Sequence, residues 1–135
     1  MNHLSFLVVD DSEVERSLVA AVLRARLGAE RIFEAADGRE ATLLLACVPI
    51  DVIISDREMA SVTGDELLAI VRRNHKLRDI PFIMMSSNMP EWFRRMAKQL
   101  GATQCLAKPF TPAELERAVR LSQSPTLSAP GSSAA

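Results

Sequence analysis

Short apolar runs alternate with helix-period segments along the chain. Leu4–Val9, Arg31–Ala35, Val52–Ser55, Ile80–Met85 and Thr103–Ala107 read as five strands. The first, third and fourth are almost wholly apolar, as strands covered on both faces are. Between the strands, helical patterns each keep one apolar face. Val14, Leu18, Ala21, Val22 and Ala25 form one such face, Leu67, Leu68 and Val71 another, and Leu115, Ala118 and Val119, extended by Leu121, a third. Four segments place a cap-type residue three positions before a glutamate: Ser12–Glu15, Asp37–Glu40, Thr63–Glu66 and Thr111–Glu114. That spacing lets the cap oxygen and the Glu carboxylate satisfy each other's orphan backbone N–H groups. Pro112 stands at the first helical position, where its missing N–H costs little. Pro90 opens a further helix carrying Trp92, Phe93, Met96 and Leu100.

Strands and helices in strict alternation predict an α/β fold, a five-stranded doubly wound parallel sheet with five helices and right-handed crossovers. After Leu121 the pattern stops. "SQSPTLSAPGSSAA" has no charge and no periodicity, which predicts a domain over 1–121 and a Ser/Pro/Ala-rich tail or linker stub over 122–135.

In such a sheet the functional crevice lies beyond the carboxyl ends of the strands. The chemistry sits there. Val52, Ile53 and Ile54 lead through Ser55 into Asp56, and Val8 and Val9 run into Asp10 and Asp11. Ser86 and Lys108 follow the fourth and fifth strands. Three carboxylates at one sheet end repel each other, so they raise their pKa values or recruit a cation. Oxygen-only ligands at an open edge suit Mg²⁺. A nucleophilic carboxylate, a divalent ion, an ammonium and a hydroxyl together make a phosphoryl-transfer site.

Composition narrows the function without choosing it. The chain has 135 residues, 48% hydrophobic and 24% charged, with a formal net charge of −1. That balance gives no electrostatic footprint for nucleic acid or an anionic membrane. Cys47 and Cys105 are far apart and form no CxxC, which fits a reducing, cytoplasmic setting. Both read as small hydrophobes. His3 and His75 lack metal-ligand spacing and read as solvated. The apolar run at the N-terminus is too short for a signal peptide, and no stretch reaches transmembrane length.

The sequence resembles a response-regulator receiver domain of two-component signalling, and among these the chemotaxis-type single-domain receivers. The resemblance is carried by "VVDDS" at 8–12, "ISD" at 54–56, the Met and Gly of "DREMASVTG", "IPFIMMSS" at 80–87 and "AKPF" at 107–110. It implies a flavodoxin-like strand order 2-1-3-4-5. It implies that Asp56 is the phosphoacceptor, served by a histidine kinase or phosphotransfer protein. Asp10, Asp11, Asp56 and the backbone carbonyl of Glu58 would hold Mg²⁺ or Mn²⁺. Ser86 would hydrogen-bond the phosphoryl group and switch with it, Lys108 would pair with a phosphoryl oxygen, and the Lys108–Pro109 bond would be cis. The domain would act on a downstream protein target, as a monomer or a phosphorylation-dependent dimer, with no nucleic acid or membrane contact. Its only chemistry would be self-phosphotransfer and self-hydrolysis.

The chain departs from the family pattern in places. Ala60 stands where the family usually has Pro, and Cys105 stands where an aromatic ring usually couples to the switch hydroxyl. Arg57 is an unfamiliar charge beside the acceptor, and Glu58 and Asn88 flank the site where the family tunes phosphoryl lifetime. Trp92, Phe93, Arg94 and Arg95, with Lys98, form a candidate partner surface, since aromatics with arginine are common interface anchors. Two other function classes are to be weighed. One is a phosphorylation-independent interaction module, favoured by Cys105 and Ala60. The other is a haloacid-dehalogenase-type phosphatase, which needs Asp-x-Asp where this chain has adjacent acids.

Overall fold

Every strand is followed by a helix in the computed structural model, which describes residues 3–123. The elements are β1 (Ser5–Val9), α1 (Glu13–Leu27), β2 (Arg31–Ala35), α2 (Gly38–Cys47), β3 (Val52–Asp56), α3 (Gly64–Arg73), β4 (Phe82–Ser86), α4 (Glu91–Leu100), β5 (Gln104–Ala107) and α5 (Pro112–Ser122). All four strand pairings are parallel, and the order is β2-β1-β3-β4-β5. Among the described residues no helix is long and apolar enough to cross a membrane.

The all-apolar strands are buried on both faces, and alternate side chains feed two cores. Leu7, Val9, Ile53 and Met84 pack with Leu67, Leu68, Val71, Phe93 and Ala97 on the α2–α3–α4 side. Phe6, Val8, Ile54, Ile83 and Met85 pack with Leu23, Leu115 and Val119 on the α1–α5 side. The period-2 geometry of a strand produces this split.

The helix starts follow the cap spacing in two grades. Thr63 and Thr111 form full capping boxes with Glu66 and Glu114. Ser12 and Asp37 accept the third helical N–H, but the reciprocal half differs: the Glu40 carboxylate accepts from the Ala36 N–H, and Glu15 turns elsewhere.

Two expectations are corrected. The apolar face of α1 is Val19, Ala20, Leu23 and Leu27, whereas Val14 is 70% and Leu18 61% exposed. Leu18 to Leu23 are apolar without a break, so the pattern fits either face; packing against α5 and β1 chooses one. Cys47, at the end of α2, is exposed, not a buried hydrophobe. The last helix, α5, continues through Ser122, which is buried and donates its hydroxyl to the Val119 carbonyl, and Gln123 caps the helix. The rest of the expected tail lies outside the described residues. His3 and His75 are exposed, as expected.

Candidate functional site

Strand register assembles the site. Val9 pairs with Ser55, so Asp10 and Asp56 emerge side by side one residue later. Asp56 pairs with Met85 and Ser86 with Ala107, which sets Ser86 and Lys108 just beyond the end of β3. Backbone bonds continue past the strand ends: Asp10 N–H to the Ala35 carbonyl at 3.1 Å, Arg57 N–H to Met85 at 2.8 Å and Lys108 N–H to Ser86 at 2.9 Å. The Lys108–Pro109 bond is cis.

Carboxylate oxygens of Asp10, Asp11 and Asp56 all lie within 4.8 Å of one another. Asp10 and Asp56 are buried, while Asp11 is exposed on the open side. Lys108 Nζ stands 3.0 Å from Asp56 Oδ1 and 3.1 Å from Asp10 Oδ2, and it also donates to Glu15 Oε1. The contact with Asp56 is ionic: buried Asp56 Oδ1 accepts no well-directed hydrogen bond. Burial pushes the Asp56 carboxyl up to about 6, against the opposing pull of the Lys108 ammonium. Burial also raises Asp10, partly offset by the Ser12 N–H and Lys108. Burial alone would lower Lys108, but the carboxylates of Glu15, Asp56 and Asp10 outweigh it and hold the ammonium above its ordinary range.

This donor set fits a hard divalent cation. The ligand atoms are all oxygen, two of the carboxylates are strained by burial, one carboxylate oxygen lacks a donor, and the third acid faces solvent. The Glu58 carbonyl, the fourth expected ligand, accepts no backbone hydrogen bond among the described residues.

Ser86 is fully buried and its hydroxyl is engaged. It donates to Glu58 Oε2 at 2.7 Å, lies 3.0 Å from the Asn88 carbonyl and accepts the Asn88 N–H at 3.1 Å. The two residues expected to flank the site thus meet at its hydroxyl.

Arg57 leaves the pocket. Its guanidinium lies over the Phe93 ring at 3.8 Å, and its Nε is 3.4 Å from the Asp65 carboxylate. Phe93 is fully buried, which corrects its place in the candidate partner surface: it is a core residue under Arg57. Trp92, edge-on to Phe93 at 6.1 Å, is 60% exposed, and Arg95 is exposed. Arg94, Arg95, Lys98 and Cys105 line a groove of about 610 Å³ between α4 and β5, away from the acids. Cys105 is half-buried, and burial raises its thiol pKa, so it behaves as a small packing residue.

Glu15, Arg16 and Gly64 take roles that the sequence does not show. Glu15 fits a cap spacing but turns to Lys108 instead. Arg16 donates to the Asp10 carbonyl at 2.7 Å and pairs with Glu34 at 3.1 Å, fixing the end of β1. Gly64 lets α3 approach β3: a Cβ there would lie 2.4 Å from the Asp56 carbonyl oxygen and 2.8 Å from Arg57 Cα.

Residues 6–120 match the family model of the response regulator receiver domain. Among curated relatives, the two-component response regulator ORR11 of rice is 38% identical over 113 residues, 82% of this chain and 75% of the rice protein. Among solved structures, the chemotaxis protein CheY4 of Vibrio cholerae is 34% identical with a TM-score of 0.80, covering 87% of this chain and 96% of that one. The receiver domain of a Pseudomonas aeruginosa sensor histidine kinase, described with magnesium coordinated in its active-site cleft, is 30% identical with a TM-score of 0.78, covering 90% and 98%.

Proposed function

Because this chain belongs to the response-regulator receiver family, we propose that it is a phosphorylation-driven signalling switch with Asp56 as its acceptor. The proposed reaction moves a phosphoryl group from a phosphohistidine of a kinase or phosphotransfer protein. An Asp56 oxygen attacks phosphorus, the P–N bond breaks, and the leaving imidazole keeps the electron pair and takes a proton. The product is an acyl phosphate. One observation carries the reading: Asp56 Oδ1 lies 3.0 Å from Lys108 Nζ, inside the three-carboxylate cluster.

The residues divide the work. Asp10, Asp11, Asp56 and the Glu58 carbonyl would hold Mg²⁺ or Mn²⁺, which when bound neutralises the carboxylates and the phosphoryl oxygens. Lys108 supplies a fixed positive charge to a phosphoryl oxygen, in a buried setting where charge counts for more than in water. Ser86 must give up Glu58 to donate to the phosphoryl group. Asp11 is exposed at the cluster, and Val14 and Leu18, exposed apolar side chains of the helix that follows it, offer a surface on which a phosphodonor partner can dock.

Output is proposed to pass through α4 and β5, in a cytoplasmic protein. Cys105 offers no ring to swing into the site. Arg57, adjacent to Asp56 and stacked on Phe93, ties the acceptor strand to α4 instead. Trp92, Arg94, Arg95 and Lys98 then present the surface a downstream protein reads. The phosphorylation-independent alternative gains no support, since Asp10, Asp56 and Lys108 remain in contact.

The test is acetyl phosphate with Mg²⁺, followed by intact-mass spectrometry. Wild type gains one phosphoryl group, and chelator or Asp56→Asn abolishes the gain. An unchanged gain in Asp56→Asn removes the acceptor assignment.

A further inference from the structure

Glu15 departs from the two full capping boxes, those that open α3 and α5. Glu66 and Glu114 fold back onto the N–H groups of Thr63 and Thr111 at 2.9 and 2.8 Å. Glu15 holds the same position after Ser12, but the Ser12 N–H is already taken by Asp10 Oδ1 at 2.9 Å. The Glu15 carboxylate is therefore free of its capping duty, and it reaches across to Lys108 Nζ.

Lys108 consequently faces three carboxylates, those of Asp10, Asp56 and Glu15. An ammonium has three N–H donors. Two of its N–H groups go to Asp10 and Glu15, so a phosphoryl oxygen on Asp56 competes with these two carboxylates for the ammonium. The side chains of Asp10 and Asp56 are 1% and 7% exposed and fixed at strand ends. That of Glu15 is 47% exposed, on a first helical turn where water can replace the lost contact.

We propose that Glu15 is a positioning residue that occupies Lys108 in the unphosphorylated protein and is displaced by the phosphoryl group. This rests on the acceptor reading above. Glu15 thereby sets how strongly the site holds a phosphoryl group, and it carries the occupancy of the site to the first turn of α1. Two effects act in the same direction: its carboxylate competes for the Lys108 N–H, and it repels the incoming anion. Its effect on a cation has the opposite sign, because the same negative charge attracts Mg²⁺.

The opposed signs make the test specific. Wild type, Glu15→Gln and Glu13→Gln are titrated with Mg²⁺ alone, then with the anionic mimic beryllium fluoride at saturating Mg²⁺, followed by fluorine and amide NMR. Glu15→Gln keeps the length and removes the charge. It should bind beryllium fluoride about three- to tenfold more tightly, with Mg²⁺ affinity unchanged or weaker. Glu13→Gln, on the same turn, controls for net charge and should stay near wild type. Equal or weaker beryllium fluoride binding by Glu15→Gln overturns the proposal while the acceptor reading stands, and so does an equal gain in Glu13→Gln. Absence of binding in all three removes the acceptor reading and this proposal with it.

Discussion

Lys108 Nζ sits 3.0 Å from Asp56 Oδ1 and 3.1 Å from Asp10 Oδ2, and it is the cation that lets these two buried acids share one end of the sheet. The compensation is incomplete. Burial still dominates at Asp56, whose carboxyl is pushed up to about 6. A buried acid that resists ionisation destabilises the fold at neutral pH, and it gains from any cation that joins it.

Stability should therefore depend on pH through Asp56. Below about pH 4 the carboxyl is protonated in both folded and unfolded chains and costs nothing. As pH rises through about 6, the folded protein must carry a buried charge that the unfolded chain carries in water, so stability is lost. Asp56→Asn removes that cost. At pH 8 without divalent cation the variant should be more stable than wild type by about 1–2 kcal/mol, allowing for screening. The gap should close toward pH 4 and shrink when Mg²⁺ is added. Urea denaturation at several pH values measures it, and a gap independent of pH contradicts the assignment.

Asp11 is exposed, so its loss should leave the fold intact while weakening the metal site. Asp11→Asn is expected to bind Mg²⁺ about tenfold more weakly, or about 1.4 kcal/mol. Thermal unfolding with and without Mg²⁺ reads this directly: the wild-type midpoint rises with the ion, and the variant rises less at the same concentration.

Gly64 is required by proximity. Its Cβ would lie within 3 Å of the Asp56 carbonyl oxygen, Arg57 Cα and Met84 Sδ. Two of these are backbone atoms that cannot step aside. Gly64→Ala should cost about 1–3 kcal/mol as an overpacking change. It should also slow phosphorylation, since the displaced strand end carries the proposed acceptor. Denaturation and acetyl phosphate kinetics on the same variant test both parts.

Trp92 and Phe93 are neighbours with opposite roles. Phe93→Ala empties a fully buried position under Arg57 and should cost about 3–5 kcal/mol. Trp92→Ala lies at an exposed site and should change stability by no more than about 0.5 kcal/mol. If Trp92 anchors a partner, as proposed, its loss weakens partner binding without touching the acceptor chemistry. Paired unfolding curves for the two variants check the contrast.

Much of this was legible in the residues. Strands that end in or just before Asp10, Asp56, Ser86 and Lys108 point together to a shared crevice, and the parallel topology puts all four at one end. The helix starts were legible because a cap is a local interaction between residues three apart. What stayed hidden depends on tertiary choice. The unbroken apolar stretch Leu18–Leu23 fits two faces of α1, and contact with α5 decides between them. Phe93 and Trp92 are adjacent large aromatics, and only the rotation of α4 tells which is core. Glu15 satisfied a cap pattern, so its contact with Lys108 could not be read until Asp10 was seen to hold the Ser12 N–H. Gly64 carries part of the family resemblance, but nothing in the sequence gives the distance between α3 and β3 that requires a glycine there.

The central claim is that Asp56, and no other acid of the cluster, accepts the phosphoryl group. The most direct measurement is chemical trapping. The protein is phosphorylated with acetyl phosphate and Mg²⁺, the acyl phosphate is reduced with borohydride, and the modified residue is mapped by peptide mass spectrometry. The account predicts conversion at position 56 to homoserine. Reduction at Asp10 or Asp11 instead, or no reduced residue after full treatment, would contradict it.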